Sequence, residues 1–238
     1  GYARVSWAPS ALIKEYFMNI QDILLIIIEI SQTIRVNGKA LNERYLHHVF
    51  SHLVQNKSDC LNLGNPIDKI LLHPEWPTFK KGTRLSYGRY KKNKENNHYQ
   101  LDENGTAGFI DFAIGKYKEP SIGIEFSLKY GWSNEEIVYD YMKMLDKRNP
   151  FKYIISYNII LRENSYLVKD KALKDLQNHM DNAITEARKR LGGCSINYDE
   201  RTVYLINTEI DKESNTRHWL FDSKTHKFNI INDLRILL

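Results

Sequence analysis

Residues 108–129, GFIDFAIGKYKEPSIGIEFSLK, constrain the fold more than any other stretch of the chain. From Ile122 onward the apolar residues take alternate positions, Ile122, Ile124, Phe126 and Leu128, with Gly123, Glu125, Ser127 and Lys129 between them. A period of two places these sets on opposite faces of a strand. The preceding segment does the same, with Ile110, Phe112 and Ile114 set against Phe109, Asp111 and Ala113. The pair reads as an antiparallel hairpin in which each strand turns one carboxylate, Asp111 or Glu125, away from its main aliphatic set. An ionised group amid aliphatic and aromatic neighbours loses its hydration unless it finds a partner. A shared divalent cation is one such partner, because Mg²⁺ accepts one or two carboxylates together with water and phosphate oxygens. Bulk water over an open antiparallel face is the other.

The rest of the chain supplies an α/β frame for this hairpin. Ser133 followed three residues later by Glu136 has the form of a capping box, and Ile137, Val138, Tyr141, Met144 and Leu145 continue a helix to about residue 147. Asn149-Pro150 ends it, and 152–161 (KYIISYNIIL) is the unbroken apolar run of a strand covered on both faces. Strand, helix and strand form a crossover unit, so this strand is expected to run parallel to the second hairpin strand. A long amphipathic helix is predicted over 170–191, capped by Asp170 and closed by Gly192-Gly193. A strand over 202–207 and a closing hairpin over 219–221 and 227–231 follow. Upstream, Pro9-Ser10 opens a helix that runs to Asn37-Gly38. Its apolar groups appear on almost every turn, so it is expected to pack heavily, against the chain itself or a second copy in a homodimer. A second helix over 40–55 carries Leu46, Val49, Phe50 and Leu53 on one stripe, with Glu43 on the same side. His48 and His52, four apart, offer a metal pair on that helix with no third ligand nearby. Residues 57–105, rich in Pro, Gly and Asn, read as the least regular part. The 238 residues suit one domain: a helix over 1–38, a core over 39–161, and a helix with strands over 162–238.

Asp111, a turn, and then Glu125-Phe126-Ser127 on the next strand, followed by a helix and a further strand, resemble the core of the PD-(D/E)XK nuclease superfamily. The likeness spans about residues 39–161 and implies a restriction-endonuclease-like fold, with a mixed sheet between helices. It implies a metal-dependent endonuclease acting on DNA, with RNA left open. Asp111 and Glu125 would hold Mg²⁺ or Mn²⁺, the Phe126 carbonyl would be a third ligand, and Glu43 would complete the site from the preceding helix. The chain departs from the pattern where Ile110 replaces the motif proline and Ser127 stands in the lysine position. Lys129, two residues on and about 6.6 Å along the strand, is the first replacement, and Lys143 on the next helix is the other. Ser127 could orient water but supplies no charge. If neither lysine reaches the site, the alternative is a catalytically inactive nuclease-like module that binds nucleic acid.

Charge distribution points the same way. Between residues 80 and 98 lie Lys80, Lys81, Arg84, Arg89, Lys91, Lys92 and Lys94 against Glu95 alone, a net +6, while the whole chain carries +5. Neutralisation of phosphates by such a segment dominates affinity for nucleic acid, and the interleaved Tyr87 and Tyr90 are expected to stack on exposed bases. The two cysteines, Cys60 and Cys194, are far apart and fit reduced thiols rather than a disulfide framework or zinc ribbon. No signal peptide stands out and the apolar run 23–28 is too short to span a bilayer, so a cytoplasmic location is expected. There is no GxxxxGK[ST] or GxSxG, which removes the usual nucleotide-cradling and serine-hydrolase signatures.

Overall fold

In a computed structural model of the chain, residues 18–34, 42–57, 70–78, 89–162 and 170–238 are described. Alternating and continuous apolar runs assemble into a seven-stranded mixed sheet, and helices cover both of its faces. Its strands are β1 (Leu72–Pro77), β5 (Phe109–Lys116), β6 (Glu119–Tyr130), β7 (Tyr153–Leu161), β8 (Thr202–Ile210), β9 (Thr216–Asp222) and β10 (Lys227–Ile231), in that spatial order. The central trio β6, β7 and β8 is parallel, and every other pairing is antiparallel. A separate small sheet has the order β3 (Tyr99–Leu101), β2 (Arg89–Lys92), β4 (Thr106–Ala107).

One face of the large sheet is covered by α1 (Ile20–Thr33) and α2 (Glu43–Lys57), and the other by α3 (Asn134–Met144) and α4 (Asp170–Leu191). The helices α3 and α4 are the crossovers from β6 to β7 and from β7 to β8, as long parallel connections require. Helix α1 begins at a capping box in which Asn19 Oδ1 accepts from Asp22 N (3.0 Å) and Asp22 Oδ2 accepts from Asn19 N (3.1 Å). Met18 and Asn19 are not helical, so the helix expected to run unbroken from Pro9-Ser10 is corrected at this point. Pro9-Ser10 itself lies outside the described residues. Isoleucines at 20, 23, 26, 27, 28 and 30 are buried within the chain, and Ser31 is accommodated among them by donating to Ile28 O (2.6 Å).

Two further expectations need correction. Ser133 stands at the N-cap of α3 but makes no side-chain cap hydrogen bond, and Glu136 pairs with Lys129, 2.7 Å away. The irregular segment contributes β1, which among the described residues pairs only with β5. Pro74 and Pro77 disguise it as loop, yet an edge strand has a side on which the missing N–H goes unmissed.

Gly123 shows how closely the α3/α4 face packs. A Cβ there would lie 2.6 Å from the Phe151 ring, which itself meets Trp76 edge-on at 5.3 Å between centroids. Gly123→Ala is therefore expected to cost about 1–3 kcal/mol by overpacking, read as a lower urea midpoint with an unchanged slope. Among the described residues, no helix is long and apolar enough to cross a membrane.

Candidate functional site

The β5–β6 ladder runs from Lys116↔Glu119 back to Phe112↔Ile124 and stops there, so Asp111 is the first residue beyond it. Side chains replace the missing ladder bonds. Asp111 Oδ2 accepts from Phe126 N (2.7 Å), and Glu125 Oε2 accepts from Asp111 N (3.2 Å). Since N–H and C=O of one extended residue point to the same side, the Phe126 carbonyl also faces this gap. The facial alternation of β5 changes at the same place: Phe112 and Ile114 join the α1/α2 core, while Ile110 joins Trp76 on the other face. This departs from the regular alternation expected of β5. Across from Asp111 on β1, Glu75 adopts a left-handed φ of +51°, unusual for a residue with a side chain.

Four elements feed the gap. Asn42 caps α2 by accepting from Tyr45 N (3.0 Å), which places Glu43 in the first turn, where the helix dipole favours an acid. One turn on, His47 Nε2 lies 3.2 Å from Asp111 Oδ2; the atom is buried, and the contact is not aligned as a hydrogen bond. Ligand atoms of His47, Glu75 and Asp111 all lie within 4.8 Å of one another. From α3, Lys143 extends into the opposite side of the gap, where its Nζ donates to Glu125 Oε1 and to Phe109 O (2.9 Å) and lies 3.1 Å from Asp140. Gly108 leaves room for this stem, since a Cβ there would stand 3.0 Å from Lys143 Cδ. Glu125 is only 4% exposed and Lys143 only 5%. The solvated-acid reading of the hairpin therefore does not hold for Glu125.

The expected site residues are thus partly gathered and partly dispersed. Asp111, Glu125, the Phe126 backbone and Glu43 come together. Lys143, not Lys129, meets Glu125; Lys129 pairs with Glu136 and sits close enough to Glu43 to lower its carboxyl. Ser127 is buried, and its hydroxyl has no hydrogen-bond partner among the described residues. His48 and His52 are exposed and take no part; the histidine at the gap is His47, four residues after Glu43. Glu75 and Asp140 are also additions that the sequence reading missed. Of the basic segment, Lys80, Lys81, Arg84 and Tyr87 lie outside the described residues, and Arg89 opens β2. Lys91 and Lys92 are exposed on β2, Lys91 beside Asp102 (3.9 Å) and Lys92 over the Tyr99 ring (5.5 Å). Tyr90 is not available for stacking: it is buried against Tyr139, and Gly108 leaves room for the ring under α3.

Six carboxylates (Glu43, Glu75, Asp111, Glu125, Glu136, Asp140) surround two lysines and one histidine, so the cluster has a surplus of negative charge. Burial, then Asp111, pushes the Glu43 carboxyl up. Burial alone would lower His47, but Asp111, with Glu43 and Glu75 behind it, raises it. Burial works against Lys143 as well, and Glu125 and Asp140 outweigh it and hold the ammonium charged. Groups that all favour an added positive charge mark a place where a cation relieves repulsion. No family model, curated protein or solved structure matches this chain.

A pH prediction follows from the signs. Glu43 and His47 bind protons more tightly folded than unfolded, so each adds stability below its ordinary value, 4.5 or 6.5, and loses it as pH rises through its raised value. A divalent ion relieves the same crowding, so Mn²⁺ is expected to raise Tm more at about pH 7.5 than at about pH 5.5. Equal gains at both would place the ion elsewhere.

Proposed function

We propose that the chain is a metal-dependent nuclease of the PD-(D/E)XK kind, with a restriction-endonuclease-like core, that hydrolyses phosphodiester bonds in DNA. One observation carries this reading: the two hairpin acids and a lysine converge where β5 and β6 part, with Lys143 supplying from α3 the charge that Ser127 lacks. The order of hairpin, crossover helix and parallel strand between helical layers supports it.

The residues present fit a divalent ion. Asp111 and Glu75 offer carboxylate oxygens, His47 offers a buried nitrogen without a hydrogen-bond partner, and the Phe126 carbonyl faces the same space. Glu125 is less free, since one oxygen is held by Lys143 and the other by Asp111 N. Its part is to fix the Asp111 backbone and to stand as a further ligand if Lys143 yields. An imidazole beside carboxylates tilts the set from Mg²⁺ toward Mn²⁺. When bound, the ion supplies a water of lowered pKa and positive charge against the scissile phosphate. Lys143, kept charged and dry, adds a fixed positive charge beside the negative charge that develops on the phosphate. Glu43 stands at the rim of the cluster with a raised proton affinity, suited to accepting a proton from water.

The test is nicking of supercoiled plasmid in Mn²⁺, Mg²⁺ or EDTA. Cleavage is expected in Mn²⁺, more slowly in Mg²⁺, and not in EDTA. Salt-sensitive DNA binding with no cleavage in either metal would leave an inactive binding module instead.

A further inference from the structure

A cavity of about 480 Å³ lies between the last turns of α4, the short turn Gly192–Cys194 with Ser195 behind it, and His226 of the β9–β10 turn. None of its lining residues belongs to the acid cluster. Its volume falls within the range of small-molecule sites, about 300–1,000 Å³. Ile184 supplies a buried apolar lining, and no carboxylate lines the cavity among the described residues.

Arg188, half-buried, is the chief cation of the wall. Its Nε donates to Ser195 Oγ (3.2 Å), its Nη1 donates to His226 Nδ1 (3.3 Å), and its guanidinium lies 4.8 Å from the centre of the Tyr198 ring. Arginine has donors only, so Nδ1 accepts and the neutral imidazole carries its hydrogen on Nε2. That N–H and the Ser195 hydroxyl hydrogen remain as further donors. His226 is held with a left-handed φ of +56°. The acids on the same elements are engaged elsewhere. Glu186 pairs with Arg190 (2.9 Å) and Lys189 (3.5 Å), Asp181 accepts from Phe228 N (2.8 Å), and Asp222 accepts from Lys224 N and Thr225 Oγ1. Among the described residues no carboxylate pairs with Arg188. Carbonyls of the turn are engaged too: Ser195 N donates to Gly192 O (3.1 Å) and Lys147 N to Cys194 O (2.8 Å). The dipole of α4 accounts for cations in its last turn. It does not account for a guanidinium fixed by three neutral groups beside a cavity and left without a counter-charge.

We infer that this cavity binds a phosphomonoester, the chemistry carried by a nucleotide or by the phosphorylated end of a nucleic-acid strand. A planar guanidinium fork matches the oxygens of an oxyanion, and holding it in place beforehand lowers the cost of binding. Arg188, Lys189, the His226 N–H and the Ser195 hydroxyl suit the three terminal oxygens of a phosphate better than the two of a carboxylate. The site is separate from the acid cluster, so the inference does not depend on the nuclease reading.

Titration calorimetry of the full chain in EDTA at matched ionic strength tests it, with deoxyadenosine monophosphate, deoxyadenosine, inorganic phosphate and acetate as probes. The monophosphate and inorganic phosphate are expected to bind, and deoxyadenosine and acetate are not. A 5′-phosphorylated tetranucleotide that outbinds the free monophosphate would name a strand end as the source, and the reverse order would name a free nucleotide. Arg188→Gln should weaken phosphate binding by about tenfold or more. Arg188→Lys should restore little of it, because an ammonium has no fork to share between Ser195, His226 and the ligand. Ser195→Ala and His226→Asn, the latter tolerant of the same backbone, should each weaken binding severalfold, which keeps the test open if Arg188→Gln fails to fold. Acetate binding as tight as phosphate would overturn the inference. So would the absence of phosphate binding, or binding that these variants, folded, leave unchanged.

Discussion

Asp111→Asn is expected to abolish metal-dependent nicking, by roughly a thousandfold or more. The substitution keeps size and an acceptor for Phe126 N while removing one charge from the point where His47, Glu75 and the Phe126 carbonyl converge. A bound ion contributes several kcal/mol to a phosphoryl-transfer transition state, and each 1.36 kcal/mol is tenfold in rate. Loss of binding at working concentrations removes most of that. Two readouts besides cleavage separate loss of the site from loss of the fold. The Mn²⁺-induced rise in Tm should vanish, and the imidazole of His47, released from its main charged neighbour, should titrate lower. A variant that folds, loses the Mn²⁺ shift and still nicks plasmid would sink the metal assignment.

How far this site was legible in the sequence depends on the kind of signal each residue leaves. The hairpin acids were legible because period-two alternation marks β6 and fixes which face each of its residues takes, and β7 follows from an unbroken apolar run. Glu43 was legible from its place on the α2 stripe. His47 shares that stripe at a spacing of four and was open to the same reasoning; His48 and His52 drew attention only because they form a pair. Glu75 left no usable signal. Its role depends on a left-handed backbone in an edge strand interrupted by prolines, and on a register with β5 that only the assembled sheet defines. Lys143 was one of two lysines at suitable sequence distances. The choice between them turns on the space left by Gly108 and on which lysine Glu136 captures, and both are tertiary facts. Tyr90 was misread for a related reason. A charged flanking sequence looks solvated, yet alternation along β2 turns this one ring inward beneath α3.

Lys143→Met is expected to destabilise the metal-free protein by about 3–5 kcal/mol, because it leaves Glu125 buried beside Asp140 with no counter-charge. Lys129→Ala removes a more exposed pair and should cost at most about 1 kcal/mol. Urea midpoints compare the two. Adding Glu125→Gln to Lys143→Met should recover much of the loss, since the pair is then replaced rather than broken. The sign with pH is distinctive. Lys143 has its proton affinity raised by folding, so its contribution is complete throughout the neutral range and declines only above its ordinary value of 10.5. A loss already visible near neutrality would belong instead to Glu43, to His47 or to Glu125, whose carboxyl is pushed up by burial. Cleavage should fall with Lys143→Met and largely survive Lys129→Ala; the opposite ranking, with both proteins folded, would move the motif lysine to Lys129. Mn²⁺ adds a stricter test. In the wild type, lysine and metal draw on neighbouring carboxylates, and Glu125 is committed to the lysine. Without Lys143 that carboxylate is freed to face the ion, so the Mn²⁺-induced rise in Tm should be larger in Lys143→Met than in the wild type, even as catalysis is lost. A smaller rise would mean that Glu125 lies outside the ion's reach and serves only to hold the lysine and the Asp111 backbone in place.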